Sequence, residues 1–154
     1  MPQLDSLDLL FATTAFLFQI VLIAHFALRK WRFPLAARYG PIVYALSIPA
    51  SGVSLWLLLQ GKGIWFILGG FVYLAWAVFG YTVEYRMGIR WRNPPRWPIW
   101  GPYVLLYLAT VMLYWWPVGL LSRTLWYVYA ILFLISTWLN ITSHKDPQAQ
   151  DEAR

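Results

Sequence analysis

Glu84 is the residue whose type and position most directly suggest chemistry, because it is the only carboxylate that directly follows an apolar run. Ionisable residues at membrane depth are costly and usually mark functional sites. A carboxyl group in such a position can act as a general acid or base, and His25 and Tyr81 carry side chains that could exchange the proton. The alternative is structural, with Glu84 forming an ion pair with Arg86, Arg90 or His25.

Metal and cofactor chemistry receives little support from the sequence. There is no cysteine, and neither His25 nor His144 stands at a His-x-x-x-His or Glu-x-x-His spacing. The chain also lacks a Gly-x-Ser-x-Gly elbow, a phosphate loop and a dinucleotide fingerprint. We therefore predict neither a metal nor a cofactor.

Tyrosines recur at helical spacing in the apolar runs. Tyr103, Tyr107 and Tyr114 stand at i, i+4 and i+11 in the fourth run, so they share one helix face, and Tyr73 and Tyr81 share a face of the third run. One interpretation is close helix packing with shared hydrogen bonds. Because tyrosine is bulky, the stripe also predicts the walls of a ligand cavity, with hydroxyls that orient the ligand.

The elements that must position these residues are membrane helices. Of the 154 residues, 60% are hydrophobic and only 12% are charged, far from the composition of a soluble domain. Each of five apolar runs approaches the roughly 20 residues that a helix needs to cross a bilayer. The runs are residues 9–28, 41–59, 64–83, 99–121 and 125–141. We predict an all-α membrane protein, a single five-helix transmembrane domain over residues 1–145, and a disordered cytoplasmic tail over residues 146–154.

The basic residues predict the orientation of this bundle. With five spans, ten of the twelve Lys and Arg residues fall on one side, and only Lys62 and Arg123 fall on the other. Positively charged flanks stay in the cytoplasm, so the N-terminus is expected outside and the C-terminus inside, in a bacterial inner membrane. The net charge of the chain is +6. The basic residues that produce it flank the apolar spans, which indicates contact with lipid headgroups and not with nucleic acid.

One segment resembles the tryptophan-rich sensory protein/translocator protein family. It is Trp91-Arg92-Asn93-Pro94-Pro95-Arg96-Trp97, followed by Tyr103 and Leu106-Tyr107. Tyr129 with Leu139-Asn140 is similar to the last helix of that family. In the family, however, the Asn-Pro-Pro loop follows the first span, whereas here it follows the third.

The resemblance implies five spans, an inside-facing C-terminus and binding of porphyrins or other apolar ligands, including sterols. It implies that a loop at the ligand site is formed by Trp91, Asn93, Pro94, Pro95 and Trp97. Tyr103 and Tyr107 would correspond to pocket walls, and Asn140 to a position on the last helix near the ligand.

Three functions are compatible with these features. The first is a non-enzymatic protein that binds a porphyrin, a sterol or an isoprenoid-like molecule within the bundle. The second is a membrane-embedded isomerase or cyclase that acts on a lipid or isoprenoid, with Glu84 as acid or base. The third is an accessory subunit whose polar stripes contact other membrane subunits or a second copy of the chain.

Overall fold

The structure, a computed structural model, describes residues 4–89 and 96–143. Within these ranges it contains six α-helices and one π-helical turn, and five stretches are long and apolar enough to cross a membrane. The predicted all-α, multi-pass membrane fold is confirmed at this level. The elements are α1 (Ser6–Trp31), α2 (Phe33–Ala45), α3 (Ser47–Leu59), α4 (Trp65–Tyr81), the π-helical turn (Thr82–Arg86), α5 (Trp97–Leu121) and α6 (Arg123–Ser143).

The second span consists of two helices, α2 and α3, which follow each other through Leu46. Pro49 explains the interruption, since a proline inside a helix has no N–H to donate and its ring clashes with the carbonyl four residues earlier. Side chains satisfy part of the backbone near the break. The Ser47 hydroxyl donates to the Tyr44 carbonyl at 2.6 Å, and the Ser51 hydroxyl donates to the Ser47 carbonyl at 2.7 Å.

The helices extend beyond the apolar runs from which they were predicted. α1 continues to Trp31 and α2 begins at Phe33, so that Arg32 alone separates them. Hydropathy locates the hydrocarbon-crossing part of a helix, whereas arginine and tryptophan can continue the same helix into the interface. Pro34 suits the start of α2, because the first turn of a helix needs no N–H from that residue. The first connection is therefore a sharp turn between two helices.

An ionic cluster joins the start of α1 to the hairpin between α3 and α4. Asp5 and Asp8 form a reciprocal capping box, and the Asp8 N–H donates to Asp5 Oδ1 at 2.7 Å. Lys62 Nζ lies 2.8 Å from Asp5 and 2.7 Å from Asp8. The hydrogen bond from Lys62 lowers the pKa of Asp5, and the bond to Asp5 raises the pKa of Lys62. We call this the hairpin end of the bundle, and the opposite end, with Arg29 and Arg86, the arginine end.

The helix α4 lies between α3 and α5, while α1 packs against α2 and α6. Glycine permits the closest of these approaches. A Cβ on Gly70 would lie 2.6 Å from the Ala50 carbonyl and would also meet Ser54, and the Ser51 hydroxyl donates to the Gly70 carbonyl at 3.1 Å. Small residues that bring helix backbones together are typical of membrane bundles. The contact fixes α3 beside α4 and so positions the residues at the arginine end.

Candidate functional site

The π-helical turn at the end of α4 carries Glu84. The Met87 N–H donates to the Thr82 carbonyl at 2.9 Å, which is the i to i+5 pattern of a π-helix. Such turns insert one residue into a helix and are frequent at functional sites. The inserted residue changes the direction of the side chains that follow α4. Glu84 lies toward α2, where it meets Tyr44.

Glu84, Tyr44 and Tyr103 form a hydrogen-bonded chain that we call the carboxylate site. The Tyr44 hydroxyl donates to Glu84 Oε2 at 2.8 Å, and the hydroxyls of Tyr44 and Tyr103 are 3.3 Å apart. Since the single Tyr44 proton is directed to Glu84, Tyr103 is the donor in the second contact. Three helical elements thus contribute one residue each. The arrangement provides a carboxyl group with a phenol that can deliver or remove a proton.

Trp76 forms the floor of the carboxylate site. Its side chain is 2% exposed, and its ring lies 5.3 Å from that of Tyr44 and 5.4 Å from that of Tyr103. Gly80 makes room for this packing, because a Cβ there would lie 2.8 Å from the Tyr44 ring. The aromatic floor excludes water from one side of the carboxylate site, and hydrogen bonds are stronger in such surroundings.

His25 and Tyr85 lie beside the carboxylate site at the arginine end. The Tyr85 hydroxyl occupies the space that a side chain at Gly40 would fill, and His25 Cε1 lies 3.5 Å from the same position. The Tyr85 ring is 6.1 Å from the Tyr44 ring. Residues from α1, α2 and the π-helical turn therefore converge here. His25, which the sequence suggested as a proton-exchange partner of Glu84, belongs to the same end of the bundle as Glu84.

Tyr81, the other predicted proton-exchange partner, is half-exposed beside Tyr85. Its side chain is 47% exposed, and its ring stacks on that of Tyr85 at 5.5 Å. Helical spacing in the sequence predicted that Tyr73 and Tyr81 share one face of this span. The π-helical turn begins directly after Tyr81 and changes the helical register there. Tyr44 donates to Glu84 in this structure.

The predicted ligand-site tyrosines pack against other rings in the bundle interior. Tyr73 donates a hydrogen bond to the Val43 carbonyl, and its ring contacts Trp76 at 5.9 Å. Tyr107 contacts the same indole at 6.0 Å. Tyr114 lies nearer the hairpin end, where its ring is 5.3 Å from Phe18. These tyrosines are buried and fill the interior between the helices.

Of the remaining predicted ligand residues, the structure describes Trp97 and Asn140. Trp97 is 66% exposed at the start of α5, with its ring 5.1 Å from Trp100. Asn140 is half-buried in α6, and its carbonyl accepts a hydrogen bond from Ser143. Several predicted positions fall outside the described residues, namely Trp91, Asn93, Pro94, Pro95 and the tail over residues 146–154.

Three interior residues were not assigned to the site by sequence reasoning. Tyr44 stands at helical spacing with serines of the second apolar run, and Trp76 lies in the middle of the third run. Sequence spacing alone does not show which helices of the bundle these side chains contact. Gln19 is completely buried, and its Nε2 donates to Ser136 Oγ at 2.6 Å. An amide in the middle of an apolar run was the available signal for Gln19.

An apolar groove runs along α4 where it meets α5. Its volume is about 650 Å³, within the usual size range for small-molecule sites. The groove is lined by aliphatic and aromatic side chains and by one hydroxyl: Phe71, Leu74, Ala75, Val78, Phe79, Thr82 and Leu106. Thr82 is the first residue of the π-helical turn, two positions before Glu84. One lining residue of the groove is therefore only two residues away from Glu84 in the sequence.

Across residues 4–89 and 96–143, no three His, Cys, Asp or Glu side chains are grouped in a way that could hold a metal ion. Comparison of the chain with protein-family models, curated proteins and solved structures finds no match.

Proposed function

We propose that this multi-pass membrane protein binds an apolar, membrane-soluble ligand with one polar end, of sterol-like or isoprenoid-like shape. The observation that carries the proposal is the groove, because Thr82, the one polar residue among its described lining residues, lies at the start of the turn that bears Glu84. An apolar body would lie along Phe71, Val78 and Leu106. Its polar end would reach toward Thr82 and the carboxylate site.

The groove favours a binding position different from the tyrosine-lined cavity that the sequence suggested. Tyr73, Tyr107 and Tyr114 are buried against other side chains, so their rings contribute to the packed interior. A ligand could enter the groove directly from the lipid phase without separating these rings. An elongated molecule fits this position better than a planar porphyrin, because the groove follows one helix.

We further infer that the arginine end faces the cytoplasm of a bacterium, with the N-terminus outside and the protein in the inner membrane. The charge distribution supports this, since Lys62 and Arg123 are the only basic residues assigned to the hairpin end. The resemblance of residues 91–97 to the translocator family supports a ligand site on the same side. In that case Trp91, Asn93, Pro94, Pro95 and Trp97 would cover the polar end of the ligand.

A substitution that fills the groove tests the binding proposal. Ala75 lies in the groove and Ala24 is an exposed alanine of α1 outside it, so Ala75→Trp and Ala24→Trp are matched changes. Each variant is purified in mild detergent and its bound apolar molecules are extracted and identified by mass spectrometry. We expect one sterol-like or isoprenoid-like species with the parent protein and Ala24→Trp, and its loss with Ala75→Trp. Equal retention by both variants would contradict the proposal.

A second candidate function is proton transfer to a lipid or isoprenoid, as in an isomerase or cyclase. The 2.8 Å hydrogen bond from Tyr44 to Glu84 favours it, because a phenol in this position can pass a proton to or from the carboxyl group. Glu84→Gln preserves the shape of the side chain and removes its acid–base function. Extracted lipids from cells that express Glu84→Gln should lack the product if this function is correct. An unchanged lipid profile would leave binding, or an accessory role beside other membrane subunits, as the function.

A further inference from the structure

The interior between α1, α5 and α6 contains buried polar atoms that the tyrosine packing does not satisfy. Gln19 Oε1 and the hydroxyls of Tyr107, Tyr114 and Tyr129 have no hydrogen-bond partner among the residues that the structure describes. None of the four side chains is more than 6% exposed. In a bilayer no bulk water can reach such groups, so their partners must be internal.

The four atoms lie in one region of the bundle. Gln19 of α1 donates to Ser136 of α6, and Ser136 lies seven residues after Tyr129 on the same helix. Phe16 and Phe18 of α1 contact the rings of Tyr129 at 5.5 Å and of Tyr114 at 5.3 Å, so both tyrosines face α1. Tyr107 and Tyr114 are seven residues apart on α5, which corresponds to about 10 Å along the helix axis. The unsatisfied atoms therefore follow the axis of the bundle over two helical turns.

The hydrogen-bond donors and acceptors of these four groups limit which partner can satisfy them. Each phenol can donate one hydrogen bond and accept others, whereas Gln19 Oε1 can only accept. Other tyrosines of the bundle are satisfied, as Tyr73 is by the Val43 carbonyl and Tyr44 by Glu84. A partner for the four atoms named above must be small and must both donate and accept hydrogen bonds. More than one copy is needed, because the atoms are spread over about 10 Å along the helix axis.

We propose that this region is an internal hydration site, at which Gln19, Tyr107, Tyr114 and Tyr129 bind at least two water molecules. Water meets each requirement, since it donates two hydrogen bonds and accepts two. Buried waters of this kind typically make about three hydrogen bonds to otherwise unsatisfied groups. The site differs from the groove, because it lies on the side of α5 that faces α1 and α6.

Replacing single tyrosines by phenylalanine distinguishes hydrated from dry hydroxyls. Removing a hydroxyl that binds water destabilises the protein, whereas removing a buried hydroxyl without a partner is neutral or stabilising. We expect Tyr114→Phe and Tyr129→Phe to lower the midpoint of thermal unfolding in detergent. Tyr127→Phe is the matched control on α6, because Tyr127 is 60% exposed. Tyr73→Phe is the reference for a hydroxyl bonded directly to the protein, and it shows how far the unfolding midpoint falls when such a bond is lost. Unchanged or raised midpoints for Tyr114→Phe and Tyr129→Phe would overturn the proposal.

The second measurement identifies the partner in the parent protein. In water-edited solid-state NMR of lipid-embedded protein, we expect transfer from water to the Tyr114 and Tyr129 rings and to the Gln19 amide. Phe18, whose ring contacts Tyr114 at 5.3 Å, serves as an apolar reference and should receive less. The variants could be destabilised while the parent protein shows no transfer from water. In that case the hydroxyls bond directly to one another. Transfer from lipid protons instead of water would assign the region to a lipid. Either result would overturn the hydration site.

Discussion

The Tyr44 hydroxyl donates a 2.8 Å hydrogen bond to Glu84 across the interface between α2 and the π-helical turn. The two residues are separated by 40 positions in the chain, and each comes from a place where a helix departs from regular geometry. Tyr44 is followed closely by the break at Leu46, and Glu84 lies inside the π-helical turn. The carboxylate site therefore depends on two local irregularities that the packed helices hold in register.

Tyr44→Phe should destabilise the protein by about 1–3 kcal/mol, the usual cost of leaving a buried hydrogen-bond acceptor without its donor. The ring and its contact with Trp76 remain, so the loss reports on the hydroxyl. Tyr39→Phe, at a 45% exposed position of the same helix, is the control and should have little effect. Unfolding in detergent measures both. In a double-mutant cycle, Tyr44→Phe should cost much less in a Glu84→Leu background, where no side-chain oxygen remains to accept the hydrogen bond. Full additivity of the two changes would argue against the bond.

Gly70→Ala should destabilise the contact between α3 and α4. The added methyl group would lie 2.6 Å from the Ala50 carbonyl, and relieving such overpacking costs about 1–3 kcal/mol. Gly52→Ala on α3 is the matched control, because a Cβ there meets nothing within 4 Å. Its expected effect is a gain of up to about 1 kcal/mol from helix propensity. Equal thermal stability of the two variants would show that the helices do not approach so closely.

The ionic cluster at the hairpin end predicts a defined pH dependence. The pKa of Asp5 is lowered by Lys62, so the contribution of Asp5 is present above its ordinary value of 3.8 and is lost as the pH falls through its value in the folded protein. The pKa of Lys62 is raised by Asp5, so its contribution is present below 10.5 and is lost above the raised value. The link between α1 and the hairpin should therefore be stable through neutral pH and weaken in acid.

NMR titration of the Asp5 carboxyl carbon measures this effect directly. We expect a midpoint below 3.8 in the parent protein, and a return toward the ordinary value in Lys62→Gln. High salt should reduce the difference, because Asp5 is 56% exposed and exposed charges are screened. An Asp5 midpoint that is the same in both proteins would mean that the ion pair does not form in solution.

The sequence predicted the five membrane-crossing elements because their hydrophobic length is a local property of the chain. It did not predict that the second span breaks at Leu46 or that α4 ends in a π-helical turn, since both depend on how neighbouring helices satisfy the backbone. Glu84 was recognisable because a carboxylate beside an apolar run is costly. Its partner Tyr44 was not, because helical periodicity gives the faces of a helix without the order of helices in the bundle. The hydrogen-bond partner of Gln19 could likewise not be predicted, because Ser136 is 117 positions away in the chain.

The central claim is that the groove on α4 holds a particular apolar molecule and not bulk lipid. The most direct measurement places a photoreactive benzophenone amino acid at Val78, in the groove, or at Val128, an exposed position of α6. After illumination of native membranes, mass spectrometry identifies the adducts. We predict one dominant sterol-like or isoprenoid-like adduct at position 78 and a mixture of ordinary phospholipids at position 128. The same phospholipid mixture at both positions would contradict the account.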